Sequence, residues 1–146
     1  MRLLVQRSLN SNVVVNNNII GKIDKGLVVF VGFTHNDTEK EIDYLINKLI
    51  NLRIFDDELG IMNKSVLDIN GEILSISQFT LYADTKKGNR PSYICAMKND
   101  EAGKLYELFN SKLSEKIKVE TGKFGADMKV NITNDGPVTI MLESGN

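Results

Sequence analysis

A chain of 146 residues, 42% hydrophobic and 25% charged, fits one globular domain of ordinary composition. A net charge of −1 excludes a globally basic nucleic-acid binder, so any contact with RNA would run through a local basic patch. Cys95 is the only cysteine, which excludes an internal disulfide and a cysteine cage for a metal.

At this length roughly two-thirds of the extended chain's surface can be buried, enough for a real core. The start shows no charged-then-apolar signal segment, so a reducing cytoplasm is the expected compartment. The longest apolar stretches, such as residues 27–33, are far too short to span a bilayer, and no membrane association is expected.

In chain order, residues 2–6 read as a short apolar strand. Residues 13–15 and 19–23 flank Asn16, Asn17 and Asn18, whose tolerance of positive φ suits a hairpin turn. Residues 27–32 form a continuous apolar run of the kind that fills a buried strand. Thr38 and Glu41 stand at capping-box spacing ahead of Ile42, Leu45, Ile46 and Leu49, which predicts a helix over residues 39–52. Strands are expected at 53–55, 65–69 and 72–83, the last two joined by a hairpin turn at Asn70-Gly71. A second helix is predicted over 100–116, with Ala102, Leu105, Leu108 and Phe109 on one side. Three strands follow at 118–121, 128–133 and 138–142. There is no repeat, linker or low-complexity segment, so residues 1–146 are expected to form a single domain.

The standard catalytic signatures are missing. His35 is the only histidine, it has no evident serine or cysteine partner, and it reads as a surface loop residue. There is no G-x-S-x-G elbow, phosphate loop or dinucleotide fingerprint, and no ligand cluster for zinc. Cys95, in an apolar stretch, reads as a buried, inert thiol.

Three segments are unusual. The run over 72–83 is apolar on both faces yet carries Ser77, Gln78 and Thr80; buried and unpaired, such groups would cost roughly 1–3 kcal/mol each. They either bond to neighbouring backbone or face a pocket. Asn134-Asp135-Gly136-Pro137 is a turn between strands on residue type alone, or a rigid pair of backbone acceptors lining a site. Lys86, Lys87 and Arg90 put three positive charges within five positions, as a solvated loop or as a phosphate-contacting one.

Several stretches carry a family resemblance. They are residues 1–7, Gly32-Phe33-Thr34-His35, Asn51-Leu52-Arg53-Ile54-Phe55 and Ser77-Gln78-Phe79-Thr80-Leu81-Tyr82-Ala83-Asp84, then Arg90-Pro91-Ser92, residues 120–128 and Asn134-Asp135-Gly136-Pro137-Val138-Thr139-Ile140. Almost end to end and in order, they resemble the D-aminoacyl-tRNA deacylases, of the D-tyrosyl type with a cis Gly-Pro motif. The resemblance implies hydrolysis of the ester between a D-amino acid, or glycine, and the terminal adenosine of tRNA. It implies a homodimer with Ser77, Gln78, Phe79 and Thr80 as one wall of each site. Gly136 and Pro137 of the other subunit are inserted opposite as a chirality filter, and Arg7 supports that turn. Backbone amides around Phe79 and Thr80 would stabilise the oxyanion, with help from the substrate's ribose hydroxyl and no metal or cofactor. Lys86, Lys87 and Arg90 are candidate tRNA contacts. A related group with a trans Gly-Pro that acts on mischarged L-alanine, and a non-catalytic tRNA-binding module, are the alternatives. The expected fold is one α/β domain of two small, mostly antiparallel sheets packed face to face, with two helices on one side.

Overall fold

The computed structural model describes residues 1–145. Its first two strands, β1 (Arg2–Val15) and β2 (Asn18–Gly32), are far longer than the separate runs seen in the sequence. They form one antiparallel hairpin, closed where Asn16 and Asn17 take φ of 49° and 64°. Two successive left-handed residues match the right-handed twist of paired strands, which is why asparagines serve there.

Helix α1 (Glu39–Asn51) starts at the expected capping box. The Thr38 amide donates to the Glu41 carboxylate at 2.7 Å and the Lys40 amide donates to the Thr38 hydroxyl at 3.3 Å. The Thr38 hydroxyl also donates to the Glu41 carboxylate at 2.7 Å, and the two bonds from Thr38, the hydroxyl's first, hold the Glu41 carboxyl below its ordinary range. A short hairpin of β3 (Phe55–Asp56) and β4 (Met62–Lys64) follows. Next come β5 (Glu72–Ser77), α2 (Asn99–Ser114), β6 (Lys118–Thr121) and β7 (Lys129–Glu143). The main sheet has the order β6-β5-β2-β1-β7. Its β2–β5 and β5–β6 ladders are parallel and its β1–β2 and β1–β7 ladders antiparallel. The single α/β domain with two sheets and two helices is as expected, and the larger sheet is mixed.

Both helices cover one face of that sheet. Ile42, Leu45 and Leu49 of α1 and Ala102, Tyr106, Phe109 and Leu113 of α2 are buried in one cluster with Leu3, Val5, Leu27, Val29 and Ile73. Replacing a buried ring such as Phe109 by alanine costs about 3–5 kcal/mol. A second cluster fills the opposite face: Val28, Leu74 and Ile76 meet Val13 and Ile23 from the far end of the hairpin, with Met128, Val130 and Ile132. The layered packing thus comes from a sheet bent over on itself. The bend sits where Arg7 and Ser8 are both buried, breaking the alternation, and where Asn10, at φ 40°, is an extra residue against β7. Gly26 is required beside it, because a Cβ there would lie 1.8 Å from the Glu72 carbonyl oxygen.

The structure corrects several expected elements. Residues 65–69 are a turn, not a strand: the Ser65 amide donates to the Asp68 carboxylate at 2.8 Å and the Asp68 amide to the Ser65 hydroxyl at 3.1 Å. Local side-chain bonds of this kind compete with strand pairing. Asn70 does have positive φ, but the turn at Asn70-Gly71 joins no pair of strands. The strand expected over 72–83 stops at Ser77, and Phe79–Tyr82 form a 3₁₀ helix. Its parallel neighbour β2 ends at Gly32, so the ladder has no rung left after the Gln78 amide reaches the Val31 carbonyl at 2.7 Å. The strand at 53–55 shifts to Phe55–Asp56. The strands expected at 128–133 and 138–142 are parts of one strand, β7, which starts at Lys129 and is interrupted by an excursion rather than ended by a turn. On α2, Tyr106 and Leu113 take the buried places, and Leu105 and Leu108 are only partly buried. Cys95 is exposed, on a loop that packs little.

Candidate active site

A cleft of about 390 Å³ opens where β5 ends. Ser77, Gln78 and Phe79 form one side; Phe124, Gly125, Ala126, Asp127 and Met128 form another; Asn99 and Ala102 from the start of α2 close it, over a floor that includes Val31, Phe33 and Ile76. Ser77 and Gln78 are half-buried and the Phe79 ring is 51% exposed. Asp127 is the only charged side chain among these lining residues.

The chain after Ser77 turns at once into the 3₁₀ helix, so the Phe79 and Thr80 amides stand in its first turn, where a helix leaves its donors without an internal acceptor. No side chain caps this end. The Gln78 side-chain amide donates to the Thr80 hydroxyl. The other end of the turn is anchored: the Arg2 guanidinium donates to the Leu81 carbonyl at 2.8 Å and lies 4.5 Å over the Tyr82 ring. Burial, with the Asp37 charge next, pushes the Tyr82 phenol well up, so it stays neutral. The turn is thereby held to β1.

Gly136 and Pro137 lie elsewhere. Between Gln6↔Thr139 and Ser8↔Asn134, β7 spends four residues opposite Arg7 alone, and this excursion carries an exposed, cis Gly136–Pro137 bond. The nearly buried Arg7 spans it: Nε donates to the Asp135 carbonyl at 3.1 Å and Nη1 to the Ile54 carbonyl at 2.9 Å, and Nε is 3.3 Å from the Asp135 carboxylate. The Asn134 side chain donates to the Arg7 and Val138 carbonyls, both at 3.0 Å. Gly136 has φ 124°, and a Cβ there would meet Val138 at 2.8 Å and Arg7 at 3.1 Å.

The structure therefore gathers Ser77, Gln78 and Phe79 at one cleft, with Thr80 bonded just behind them. Gly136 and Pro137 do not line it: they belong to the part of β7 that pairs with the Arg2–Ser8 end of β1, whereas only the opening of β7, at Val130, reaches the cleft. Lys86, Lys87 and Arg90 sit on an exposed loop closed by backbone bonds of 2.8 and 2.9 Å between Asp84 and Ser92, and none of them lines the cleft. The wall from Phe124 to Met128 and the Asn99 side were given no site role from sequence. The signal available was residues 120–128, a matching stretch without an assigned use. His35 is exposed, as expected of a loop residue. Among the described residues no group of three or more His, Cys, Asp or Glu is placed to hold a metal ion, and no helix is long and apolar enough to cross a membrane.

The family model described as D-Tyr-tRNA(Tyr) deacylase matches residues 4–143. The chain belongs to the D-aminoacyl-tRNA deacylase family. It is 55% identical to the D-aminoacyl-tRNA deacylase of Brevibacillus brevis, covering 99% of this chain and 100% of that one. It is 58% identical to the D-aminoacyl-tRNA deacylase of Thermosipho melanesiensis, covering 99% and 97%. Among solved structures, one titled c-Myc DNA Unwinding Element Binding Protein superposes with a TM-score of 0.95 at 42% identity over 100% of both chains. A probable eukaryotic D-amino acid tRNA deacylase superposes with a TM-score of 0.83 at 18% identity over 97% of each, which shows a shared fold. Deacylases of this family hydrolyse the ester bond of aminoacyl-tRNA.

Proposed function

We propose that this chain hydrolyses the ester of D-aminoacyl-tRNA, and of mischarged glycyl-tRNA, releasing the amino acid and tRNA as a chirality-proofreading step in the cytoplasm. The observation that carries the reading is the identity of 55% and 58% over 99% of the chain to relatives named for this activity. Water adds to the ester carbonyl, the C–O bond to the ribose breaks, and the ribose oxygen leaves with a proton as the hydroxyl of the terminal adenosine. The Phe79 and Thr80 amides receive the oxyanion, and the neighbouring ribose hydroxyl helps activate the water. Ser77 and Gln78 shape the same wall. No metal or cofactor enters the scheme.

The chirality filter needs a second copy. In a two-fold dimer the Gly136-Pro137 turn of one subunit faces the cleft of the other, because an isologous interface lets one turn serve each site. The separation of turn and cleft within one chain, and the backing of the turn by Arg7 and Asn134, support this arrangement. An L-side chain would run into the turn's backbone, whereas a D-side chain points out of the pocket, so its identity matters little.

Purified protein should cleave D-tyrosyl-tRNA about a hundredfold or more faster than L-tyrosyl-tRNA, since a clash of about 3 kcal/mol is worth that factor. Equal rates, or a preference for L-alanyl-tRNA, would refute the D-specific reading. The loop of Lys86, Lys87 and Arg90 is proposed to contact tRNA phosphates. Replacing all three with alanine should raise KM, reduce the salt slope of binding by roughly 0.7 per lost contact, and spare the D/L ratio. An unchanged salt slope would show the loop to be solvated surface.

A further inference from the structure

Thr34, His35 and Tyr93 take no part in the proposed chemistry, yet a short chain of contacts joins them to it. The Thr34 hydroxyl donates to the Cys95 carbonyl at 2.6 Å, and His35 Nε2 lies 2.7 Å from the Ile94 carbonyl. A carbonyl can only accept, so Nε2 carries the proton and donates. The Met97 amide also bonds the Phe33 carbonyl at 3.0 Å, and the loop's other end is closed between Asp84 and Ser92. Residues 91–95 are all exposed, with Ile94 at 77%. A segment that packs so little keeps its place through bonds rather than burial. Tyr93, in the middle of it, meets Phe79 edge-on, with ring centroids 5.1 Å apart and planes at 70°. Aromatic pairs prefer this geometry. Phe79 is the first residue of the 3₁₀ helix beside the cleft.

We propose that Thr34 and His35 are positioning residues for the reaction: by gripping the Cys95 and Ile94 carbonyls they set the Tyr93 ring against Phe79 and fix the Phe79 amide toward the ester. This rests on the oxyanion role given above to the Phe79 and Thr80 amides. A loop that merely stabilised the fold would leave turnover at a well-folded site unchanged. A ring pair that touched substrate directly would alter KM instead.

The test uses full-length protein and D-tyrosyl-tRNA, with kcat and KM measured separately. Tyr93→Ala should lower kcat by about threefold to tenfold, the range an edge-to-face pair is worth, with KM unchanged. Tyr93→Phe keeps the ring and should restore kcat. Thr34→Val combined with His35→Ala should lower kcat by a similar factor and add little on top of Tyr93→Ala, because all three act through one link. His35 is the only histidine, so a long-range proton–nitrogen NMR spectrum reads its neutral tautomer directly, and the proton should be on Nε2. An unchanged kcat in Tyr93→Ala, a loss confined to KM, fully additive losses, or a proton on Nδ1 would each overturn the proposal. The amide reading fails separately: an inactive Thr80→Ala would sink that reading while a kcat loss at Tyr93 still stood, because Thr80 lies on the same turn.

Discussion

Gly136→Ala should reduce the D/L discrimination of the enzyme by about tenfold or more, a loss that corresponds to about 1.4 kcal/mol. The cause is steric and local. The added methyl would stand 2.8 Å from Val138 and 3.1 Å from the Arg7 guanidinium, at a φ of 124° that an L-residue avoids. Arg7 cannot yield freely, since it also holds the Ile54 and Asp135 carbonyls. The turn therefore shifts, and the backbone that is proposed to stand against an L-side chain shifts with it. Parallel assays with D- and L-tyrosyl-tRNA measure the ratio, and light scattering checks whether the variant forms the proposed dimer. An unchanged ratio in a dimeric variant would remove Gly136 from the filter. A monomeric wild-type protein at working concentration would remove the shared site altogether.

The second large effect separates two mechanisms. Thr80→Ala should retain deacylation within about tenfold of the unaltered enzyme, because the backbone donors survive the change. Loss of a true covalent nucleophile costs on the order of a millionfold. Thr80 is poorly placed for that role: its hydroxyl's partner is the Gln78 side-chain amide, and neither end of an amide is a base able to take a proton. Charged help is sparse, Asp127 being the one ionisable group on the cleft wall. A substrate ending in 2′-deoxyadenosine should be cut about a hundredfold more slowly, since the hydroxyl proposed to assist the water is gone. Full activity on the deoxy substrate together with an inactive Thr80→Ala would reverse the assignment. Gly136→Ala should disturb the D/L ratio more than Thr80→Ala does.

What could be read without coordinates was local or repeated in kind along the chain. The Thr38–Glu41 box placed α1, because its two bonds close within four residues. The asparagine turn at 16 and 17 was legible from residue type, since few side chains tolerate positive φ. Apolar character on both faces placed β5 inside the sheet, where it lies between two parallel neighbours. Matching motifs from end to end identified the family, because a motif keeps its residues in order whatever the fold does with them. Local signals also misled. Residues 65–69 look like a strand, but Ser65 and Asp68 bond each other's amides and the segment joins neither sheet.

Other features depend on neighbours distant in sequence. The strand after Glu72 ends at Ser77 because β2 runs out at Gly32, and that ending makes the turn that presents Phe79. Residues 134–137 look like a turn between strands, yet they bulge from a single strand because β1 pairs on either side of them. The apolar surroundings of Cys95 in sequence suggested burial, but nothing in the fold covers that loop. The cleft itself exists only because the sheet bends at Arg7–Asn10 and brings Met128, just ahead of β7, and Val130 of β7 onto the face of Ile76. Hydrophobic pattern tells a strand which face to bury; it does not say against which distant segment, and in this protein that choice makes the cleft and sets the Gly136-Pro137 turn apart from it.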